Sequence, residues 1–256
     1  MLLKFFKYQA TGNDFIMVDN RQGVFPENDP ALISRLCHRK FGIGADGIIL
    51  LEEAKEANFT MVYYNPDGSQ SFCGNGSRAA VHFARSLGML GDSGSFVAID
   101  GIHQAKISGA TVQVNMANVS PGKEILNGVF YATGSPHYVT FVDHVDRVDV
   151  VAEGRSLRHH QAFQPGGSNI NFVEITGADQ ISVRTYERGV EDETLSCGTG
   201  VTAAAIAASV RGLGNKINIT TPGGNLQVGF TLTPNGFTGV WLSGPATLVF
   251  SGELTL

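Results

Sequence analysis

The chain has 256 residues and a net charge of −5, with no run of lysine or arginine, so we expect no nucleic-acid partner. Hydrophobic residues make up 43% of it and charged residues 16%, which is enough apolar material for one large core or two modest ones. Neither a signal peptide nor a run of roughly 18 apolar residues is visible, so we expect a cytoplasmic location and no membrane partner. The odd number of cysteines, three, argues against a secreted disulfide framework, and without CxxC or HExxH motifs we predict no metal site.

The first sixty residues predict short strands around one helix. The helix is predicted over 29–39, because Asp29 can cap it and Pro30 suits its first position. Cys37 falls on the apolar stripe of this helix and is interpreted as a buried core thiol. The predicted strands are 2–8, 15–19, 48–51 and 59–64.

A cysteine then lies just before a glycine-rich turn that opens into a helix. Cys73 is followed by Gly74, Asn75 and Gly76, and the predicted helix runs from there to a C′ glycine at Gly88. The N-terminus of a helix leaves backbone N–H groups unpaired and carries partial positive charge, and glycines let a ligand approach those groups closely. A thiol in this setting is biased toward the thiolate.

The same pattern recurs about half a chain later. Cys197 is followed by Gly198, Thr199 and Gly200 and then by a run of Ala, Val and Ile, which predicts a helix that is buried all round. One such pattern is a weak signal. Two patterns at this spacing indicate a duplicated architecture in which two thiols face one cleft.

Short strands and turns fill the rest of both halves, and the high glycine content, 32 residues, agrees with many turns. Pro121–Gly122 is predicted to be the linker between the halves, and 191–193 is predicted to be an acidic loop. The remaining predicted strands are 96–100, 103–107, 112–116, 128–132, 138–142, 170–175 and 181–186, with more short strands over 220–256.

Two facing thiols without a metal motif have three plausible uses, namely a disulfide couple, a nucleophile with a helper, and a two-base proton transfer. Inverting a carbon centre needs one base on each face, so a thiolate would remove a proton while the opposite thiol donates one. Helix N-termini would hold the substrate carboxylate and stabilise enolate-like charge. From the residues alone, an epimerase or racemase is about as well supported as the redox and structural interpretations together.

The order of short motifs along the chain resembles that of the diaminopimelate epimerases, from Asn13 to about Ala208. The quoted motifs are Gly12-Asn13-Asp14-Phe15, Phe41-Gly42-Ile43-Gly44-Ala45-Asp46-Gly47, Tyr64-Asn65-Pro66-Asp67-Gly68, Cys73-Gly74-Asn75-Gly76, Pro136-His137, Tyr186-Glu187-Arg188-Gly189 and Cys197-Gly198-Thr199-Gly200.

This resemblance implies a cofactor-independent isomerase that interconverts LL- and meso-2,6-diaminopimelate, a small-molecule substrate, for lysine and peptidoglycan synthesis. It implies an α+β fold of two pseudo-symmetric halves, each a β-barrel-like sheet wrapped around a central helix. The expected halves are 1–118, joined by the last strand at about 246–256, and 119–245. The resemblance also suggests a homodimer.

The resemblance assigns roles residue by residue. Cys73 and Cys197 would be the acid/base pair, and His137 and Glu187 would tune their protonation. Arg188 would grip the distal carboxylate, since a buried guanidinium without a partner is costly. The substrate-binding residues that it implies are Asn13, Asn65, Gly74, Asn75, Asn169, Glu187, Arg188, Gly198 and Thr199.

Two departures from the family pattern concern the distal end of the substrate. Ser135 stands where the family usually has Asn before Pro-His, and Gly47 stands where some members have Gln. The closest rival is a proline or hydroxyproline epimerase of the same fold, whose first motif typically has His where this chain has Asn75. A non-enzymatic thiol protein, acting in redox or binding, is the rival from another class.

Overall fold

The computed structural model describes residues 2–26 and 29–256. The chain divides into two compact units, Met1–Val114 with Gly244–Leu256, and Asn115–Ser243. None of the helices in these described residues is long and apolar enough to cross a membrane.

Among the described residues, the first unit contains eight strands and two helices. They are β1 Leu2–Ala10, β2 Asn13–Asp19, α1 Pro30–Cys37, β3 Gly47–Glu52, β4 Phe59–Tyr64, α2 Gly74–Ser86, β5 Ser93–Ala98, β6 Gly101–Ser108, β7 Thr111–Asn115 and β17 Thr247–Thr255.

The second unit contains nine strands, two helices and two short 3-10 turns, Val145–Arg147 and Gln161–Phe163. Its strands and helices are β8 Lys123–Ile125, β9 Gly128–Ala132, β10 Pro136–Phe141, α3 Val150–Arg158, β11 Asn169–Gly177, β12 Gln180–Glu187, β13 Asp192–Thr194, α4 Gly198–Val210, β14 Lys216–Thr221, β15 Gly224–Thr233 and β16 Gly236–Pro245.

The two units repeat one strand order. In the first, β17, β1, β2, β3, β4, β5, β6 and β7 pair in succession, with parallel pairs at β2–β3 and β4–β5 and antiparallel pairs elsewhere. In the second, β8, β9, β10, β11, β12, β14, β15 and β16 pair in succession, with parallel pairs at β10–β11 and β12–β14. Each parallel pair is bridged by one helix, as a parallel connection requires. The predicted duplication is therefore confirmed at the level of topology.

Alternation along the strands gives each sheet two different faces. In the first unit, Ile16 and Val18 of β2 pack in the cluster that contains α1, whereas Asn13 of the same strand reaches the start of α2. In the second unit, Ile170 and Phe172 of β11 pack in a cluster with Val150 of α3. The odd-numbered side chains of β11 therefore face α4.

Both central helices, α2 and α4, are buried, and the helix ends lie close to where the sequence predicts them. In α4 every residue from Gly198 to Ala208 is buried, which confirms the prediction of an all-round apolar helix. In α2 the last turn ends at Gly88, whose φ of +72° suits glycine at C′. In α1, Asp29 caps the helix by accepting a hydrogen bond from the Leu32 N–H, as predicted.

Two of the elements that differ from the sequence-based expectations contact strand β12. Asp192 and Glu193, predicted as part of an acidic loop over 191–193, lie with Thr194 in strand β13, which pairs antiparallel with β12. Helix α3 was not predicted. Valines and Gly154 are weak helix formers, but a Cβ at Gly154 would lie 2.4 Å from the Cβ of Tyr186, so only glycine allows α3 to approach β12 this closely.

Candidate active site

Cys73 is the N-cap of α2, in the extended conformation that an N-cap residue adopts. Its Sγ accepts a hydrogen bond from the Gly76 N–H at 3.3 Å, and its carbonyl accepts the Ser77 N–H at 2.8 Å. The side chain is only partly buried. The predicted placement of this thiol at the positive end of a helix is therefore observed.

Two asparagines, Asn13 and Asn75, lie near Cys73. The Asn13 Oδ1 lies 3.7 Å from Sγ and 3.4 Å from the Nδ2 of Asn75, which is 1% exposed. The other end of the Asn13 amide donates to Asp46 Oδ2 at 2.7 Å. Because Asp46 accepts the NH₂ group, the carbonyl end of Asn13 is the end that faces the thiol.

A cluster of charged side chains holds this turn in place. Lys7 pairs with Asp14 at 2.7 Å and also donates to the Gly44 carbonyl, while Arg39 bonds both Asp14 and Asp46. Burial by itself would raise the pKa of Asp14, but hydrogen bonds from Arg39 and Lys7 outweigh it and lower that pKa. Burial, together with the charge of Asp14, raises the pKa of Asp46. Asn13 is thus positioned by a charged network rather than by a flexible hairpin loop.

Cys197 caps α4 in the same way through its backbone, with the Val201 N–H bonding its carbonyl at 2.9 Å. Its thiol has a different partner, however. The Sγ lies 3.5 Å from the Thr199 Oγ1, and the Cys197 residue is 8% exposed.

A buried histidine stands behind Thr199. The His137 Nε2 lies 2.8 Å from Thr199 Oγ1, and its Nδ1 lies 3.2 Å from the Nδ2 of Asn171, which also donates to the Tyr138 carbonyl. An amide NH₂ can only donate, so Nδ1 is the acceptor, and we assign the proton to Nε2. Burial lowers the pKa of His137 to about 3, so the imidazole is neutral at physiological pH. The resulting chain of hydrogen bonds runs from His137 through the Thr199 hydroxyl to the Cys197 sulfur.

Asn169 and Arg188 also lie together. The Asn169 Oδ1 accepts the Arg188 backbone N–H at 2.8 Å, while its Nδ2 donates to Ser135 Oγ at 2.9 Å and to the Pro136 carbonyl at 2.8 Å. Ser135, the departure noted in the sequence, therefore contacts Asn169 directly. The expectation of a buried Arg188 guanidinium is wrong, because this residue is exposed and water can solvate its charge. One of its Nη atoms donates to the Gly166 carbonyl at 3.3 Å.

The remaining predicted residues take more local positions. Asn65 bonds Ser69 and Ser71 within the turn that leads to Cys73, and Glu187 accepts a hydrogen bond from Thr194 at 2.9 Å. Gly74 and Gly198 are buried in the first turns of α2 and α4.

The absence of a side chain at Gly47 has a packing reason. A Cβ there would lie 2.4 Å from the Cε2 of Tyr63 and 2.7 Å from the Tyr64 carbonyl oxygen. The Tyr63 hydroxyl donates to the Asp46 carbonyl at 3.3 Å. The tyrosine ring therefore fills the space into which a longer residue at position 47 would extend.

Three residues near the cysteines were missed by the sequence reasoning, namely Asp46, Arg78 and Asn171. A signal existed for Asn171, because it is a polar residue between Ile170 and Phe172 on a strand whose alternation turns it toward α4. Arg78 likewise stands in the first two turns of α2 among small and apolar residues, where a charged residue is unexpected.

A family model for diaminopimelate epimerase matches residues 5–120 and 129–249. The chain belongs to the diaminopimelate epimerase family. It is 51% identical over 252 residues to the diaminopimelate epimerase of Flavobacterium psychrophilum, a match that covers 97% of this chain and 98% of that protein. It is 41% identical over 259 residues to the diaminopimelate epimerase of Chlorobaculum tepidum, with 96% and 99% coverage.

Solved structures show that other activities share this fold. A PhzF-family phenazine biosynthesis protein of Bacillus anthracis superposes with a TM-score of 0.78 at 15% identity, covering all of both chains. A hydroxyproline epimerase of Agrobacterium vitis superposes with a TM-score of 0.74 at 14% identity, covering 100% of this chain and 93% of that one. At such low identity these structures bear on the fold alone, and they confirm the fold class that was expected for a diaminopimelate epimerase.

Proposed function

We propose that this protein interconverts LL- and meso-2,6-diaminopimelate, using Cys73 and Cys197 as the two acid/base groups. The observation that carries the proposal is the duplicated N-cap cysteine, present in both units of a chain that belongs to this family. We expect the reaction to serve lysine and peptidoglycan synthesis in the cytoplasm, with a homodimer as the assembly.

The proton balance of the reaction explains why two thiols are needed. A thiolate removes the proton from the α-carbon, and the other thiol delivers its own proton to the opposite face, so the product carries the inverted configuration. One S–H bond forms as the other breaks. After each turnover the two cysteines have exchanged protonation states, and each must therefore tolerate both forms.

The helix N-termini would stabilise the negative charge that develops when the α-proton leaves. The first N–H groups of α2 and α4 are preorganised donors, and Gly74 and Gly198 allow close approach of a carboxylate. Thr199 would serve both the substrate and Cys197, because its hydroxyl lies between the sulfur and His137.

The distal end of the substrate would be recognised by Arg188. Its guanidinium is exposed, and its backbone is fixed by Asn169, so a carboxylate can reach the guanidinium from solvent. A bidentate Arg–carboxylate pair, which contributes about 1.5–3 kcal/mol, would distinguish diaminopimelate from amino acids that lack this end. Replacing Arg188 by Met should lower kcat/KM by roughly 10–100-fold, while Arg188→Lys should retain part of it.

A chiral assay tests the proposed activity directly. Purified, reduced protein is incubated with LL-diaminopimelate, lysine, proline or hydroxyproline, with chelator present and without pyridoxal phosphate. We expect epimerisation of LL-diaminopimelate and little action on the other three. Preference for proline or hydroxyproline would transfer the assignment to that rival, and no turnover of any compound would favour a non-enzymatic thiol protein.

Isotope incorporation tests the two-base step separately. In heavy water, deuterium should enter mainly the product epimer early in the reaction, whichever epimer is supplied. Equal early labelling of substrate and product from both directions would instead indicate a single base and contradict the two-cysteine mechanism.

A further inference from the structure

Arg78 is a fully buried arginine in helix α2, five residues after Cys73. It is 0% exposed, and its one hydrogen bond runs from a terminal nitrogen, Nη2, to the Thr11 Oγ1 at 3.0 Å. Within residues 2–26 and 29–256, no group accepts a hydrogen bond from its Nε or Nη1. A guanidinium has five N–H donors and no acceptor, so most of its hydrogen-bonding capacity is unused.

Such burial has a high free-energy cost. An ion that is moved from water into the protein interior loses several kcal/mol unless a counter-charge compensates it. Arginine cannot avoid this cost by releasing its proton. Burial lowers the pKa of Arg78 to about 10, which leaves it positively charged at neutral pH.

Arg78 and Cys73 lie against the same short segment of chain, because Thr11 accepts the hydrogen bond from Arg78 and Asn13, two residues later, faces the Cys73 sulfur at 3.7 Å. The negative charge of a Cys73 thiolate accordingly raises the Arg78 pKa and opposes the effect of burial. Interaction between two charges is reciprocal, so the cation favours ionisation of the thiol by the same free energy. We propose that Arg78 is a positioning residue that holds Cys73 as the thiolate in the free enzyme, so that Cys73 ionises at lower pH than Cys197. The consequence for turnover rests on the proposed function, but the ionisation itself is a property of the free protein.

The other titratable groups around α2 do not supply this counter-charge. Among the described residues, Cys73 is the only charged group whose field shifts the Arg78 pKa. Lys7 and Asp14 pair with each other on the opposite face of the sheet, and Glu253 of β17 is exposed. The titratable groups on the α2 side are Tyr8 of β1, Tyr63 of β4, His82 of α2 itself and Asp46 through Asn13.

The Asn13 carbonyl acts in the opposite sense. Its Oδ1 faces the Cys73 sulfur at 3.7 Å and would accept a hydrogen bond from the thiol form. A neutral dipole opposes the thiolate less than a full unit charge in the same low-dielectric interior supports it. Together, Arg78 and Asn13 let Cys73 exist in both forms, which a cysteine that alternates between base and acid requires.

Among the described residues, the second unit has no cation at the corresponding position of its helix. The position five residues after Cys197 is Thr202, whose hydroxyl donates to the Gly198 carbonyl at 2.9 Å. The titratable groups near that site are the neutral His137 and Arg188, whose charge lowers the His137 pKa but whose side chain is exposed rather than buried. The buried charge is therefore a difference between the two half-sites and not a common requirement of the fold.

The test measures the two thiols separately in the free protein. Alkylation by iodoacetamide is followed from pH 5 to 10, and peptide mass spectrometry gives a midpoint for each cysteine. Arg78→Met removes the charge but keeps an unbranched side chain of similar length. We expect the Cys73 midpoint to rise by about one pH unit or more, with Cys197 unmoved and Arg78→Lys retaining part of the effect.

Two controls separate an electrostatic from a structural role. Arg85→Met removes the same charge from the same helix, at an exposed site paired with Asp92, and should leave the Cys73 midpoint unchanged. In Arg78→Met the buried cation is lost and Cys73 can keep its proton, so no buried charge is left unpaired, and we expect a melting temperature equal to or above that of the parent protein. A purely structural arginine would instead lower stability and leave the midpoint in place.

Each possible result of this test either supports the proposal about Arg78 or overturns it. A folded Arg78→Met protein with an unchanged Cys73 midpoint would overturn it. If that variant fails to fold, the parent protein decides, because ionisation of Cys197 at or below the pH of Cys73 would also overturn it. These readouts need no turnover, so failure of the proposed epimerase activity would be recognised separately in the chiral assay.

Discussion

Helices α2 and α4 begin in nearly the same way, but their cysteines have different neighbours. The φ and ψ angles are −130° and 107° at Cys73 and −121° and 112° at Cys197. In both units the helix bridges the second parallel strand pair of the same strand order. The backbone frame that presents a thiol at a helix N-terminus has thus been kept in both halves.

The side chains around the two thiols have diverged. The Cys73 sulfur accepts a hydrogen bond from a backbone N–H and faces the amide of Asn13, with a buried cation at Arg78. Cys197 meets the hydroxyl of Thr199, backed by the neutral His137. A repeated scaffold with two different environments suits a reaction in which the two groups must always be in opposite protonation states.

The largest expected effect tests whether both half-sites are needed. Cys73→Ala and Cys197→Ala should each reduce kcat by at least the ~10²–10⁴-fold that is typical of general acid–base groups. Steady-state assays of both variants in both directions measure this loss. Cys37→Ala is the matched control, because burial raises the pKa of Cys37 to about 12 and keeps that thiol out of the chemistry. Near-normal turnover in either of the first two variants would mean that one thiol suffices.

A second pair of variants compares the room for a side chain in the first turns of α2 and α4. Gly76 and Gly200 stand three residues after their cysteines. A Cβ at Gly200 would lie 2.4 Å from the Asn171 Oδ1. A Cβ at Gly76 would have the flexible end of Ile49 as its nearest neighbour, at 3.0 Å, with the Cβ and Sγ of Cys73 at 3.3 and 3.4 Å. Gly200→Ala should therefore cost about 1–3 kcal/mol of stability by displacing Asn171, whose amide orients His137.

Gly76→Ala is the counterpart and should change stability by less than about 1 kcal/mol, since the gain in helix propensity offsets a small shift of Ile49. Urea unfolding of the two variants measures the difference. Activity should follow the same order, because Gly200→Ala displaces Asn171 from the hydrogen-bond chain to Cys197, whereas Gly76→Ala keeps the backbone N–H that donates to Cys73. Equal losses in the two variants would contradict the packing difference described here.

The sequence predicted what depends on local chemistry. The cap at Asp29, the two cysteine N-caps and the buried α4 all follow from residues within one or two helical turns, and they are observed. The acidic strand β13 was missed because Glu and Asp are depleted in strands, and pairing with β12 overrides that preference.

Residues that act across sequence distance were harder to predict. Asp46 orients Asn13 from 33 positions away, and Asn171 contacts His137 from 34 positions away. Alternation along the strand could mark Asn171 as inward-facing, but it could not identify the partner of either residue. The exposure of Arg188 was predicted wrongly, because the argument assumed the environment of a bound substrate. Pairing across strands, rather than propensity, decides these positions.

The smallest expected effect concerns pH and the buried imidazole behind Thr199 in the second half-site. The pKa of His137 is about 3 in the folded protein, below its ordinary value of 6.5, because of burial. Between these values the unfolded chain binds a proton that the folded protein does not, so stability falls as pH falls through this window. One such proton contributes about 1.4 kcal/mol per pH unit.

His137→Gln should remove this contribution, so the slope of unfolding free energy against pH, measured by urea titration between pH 6 and 5, should be smaller than in the parent protein. His144→Gln, at an exposed position, should leave the slope unchanged. If the His137→Gln protein keeps the parent slope, the histidine is protonated in the fold, and the hydrogen-bond chain to Cys197 would have to carry a positive charge instead of a neutral donor.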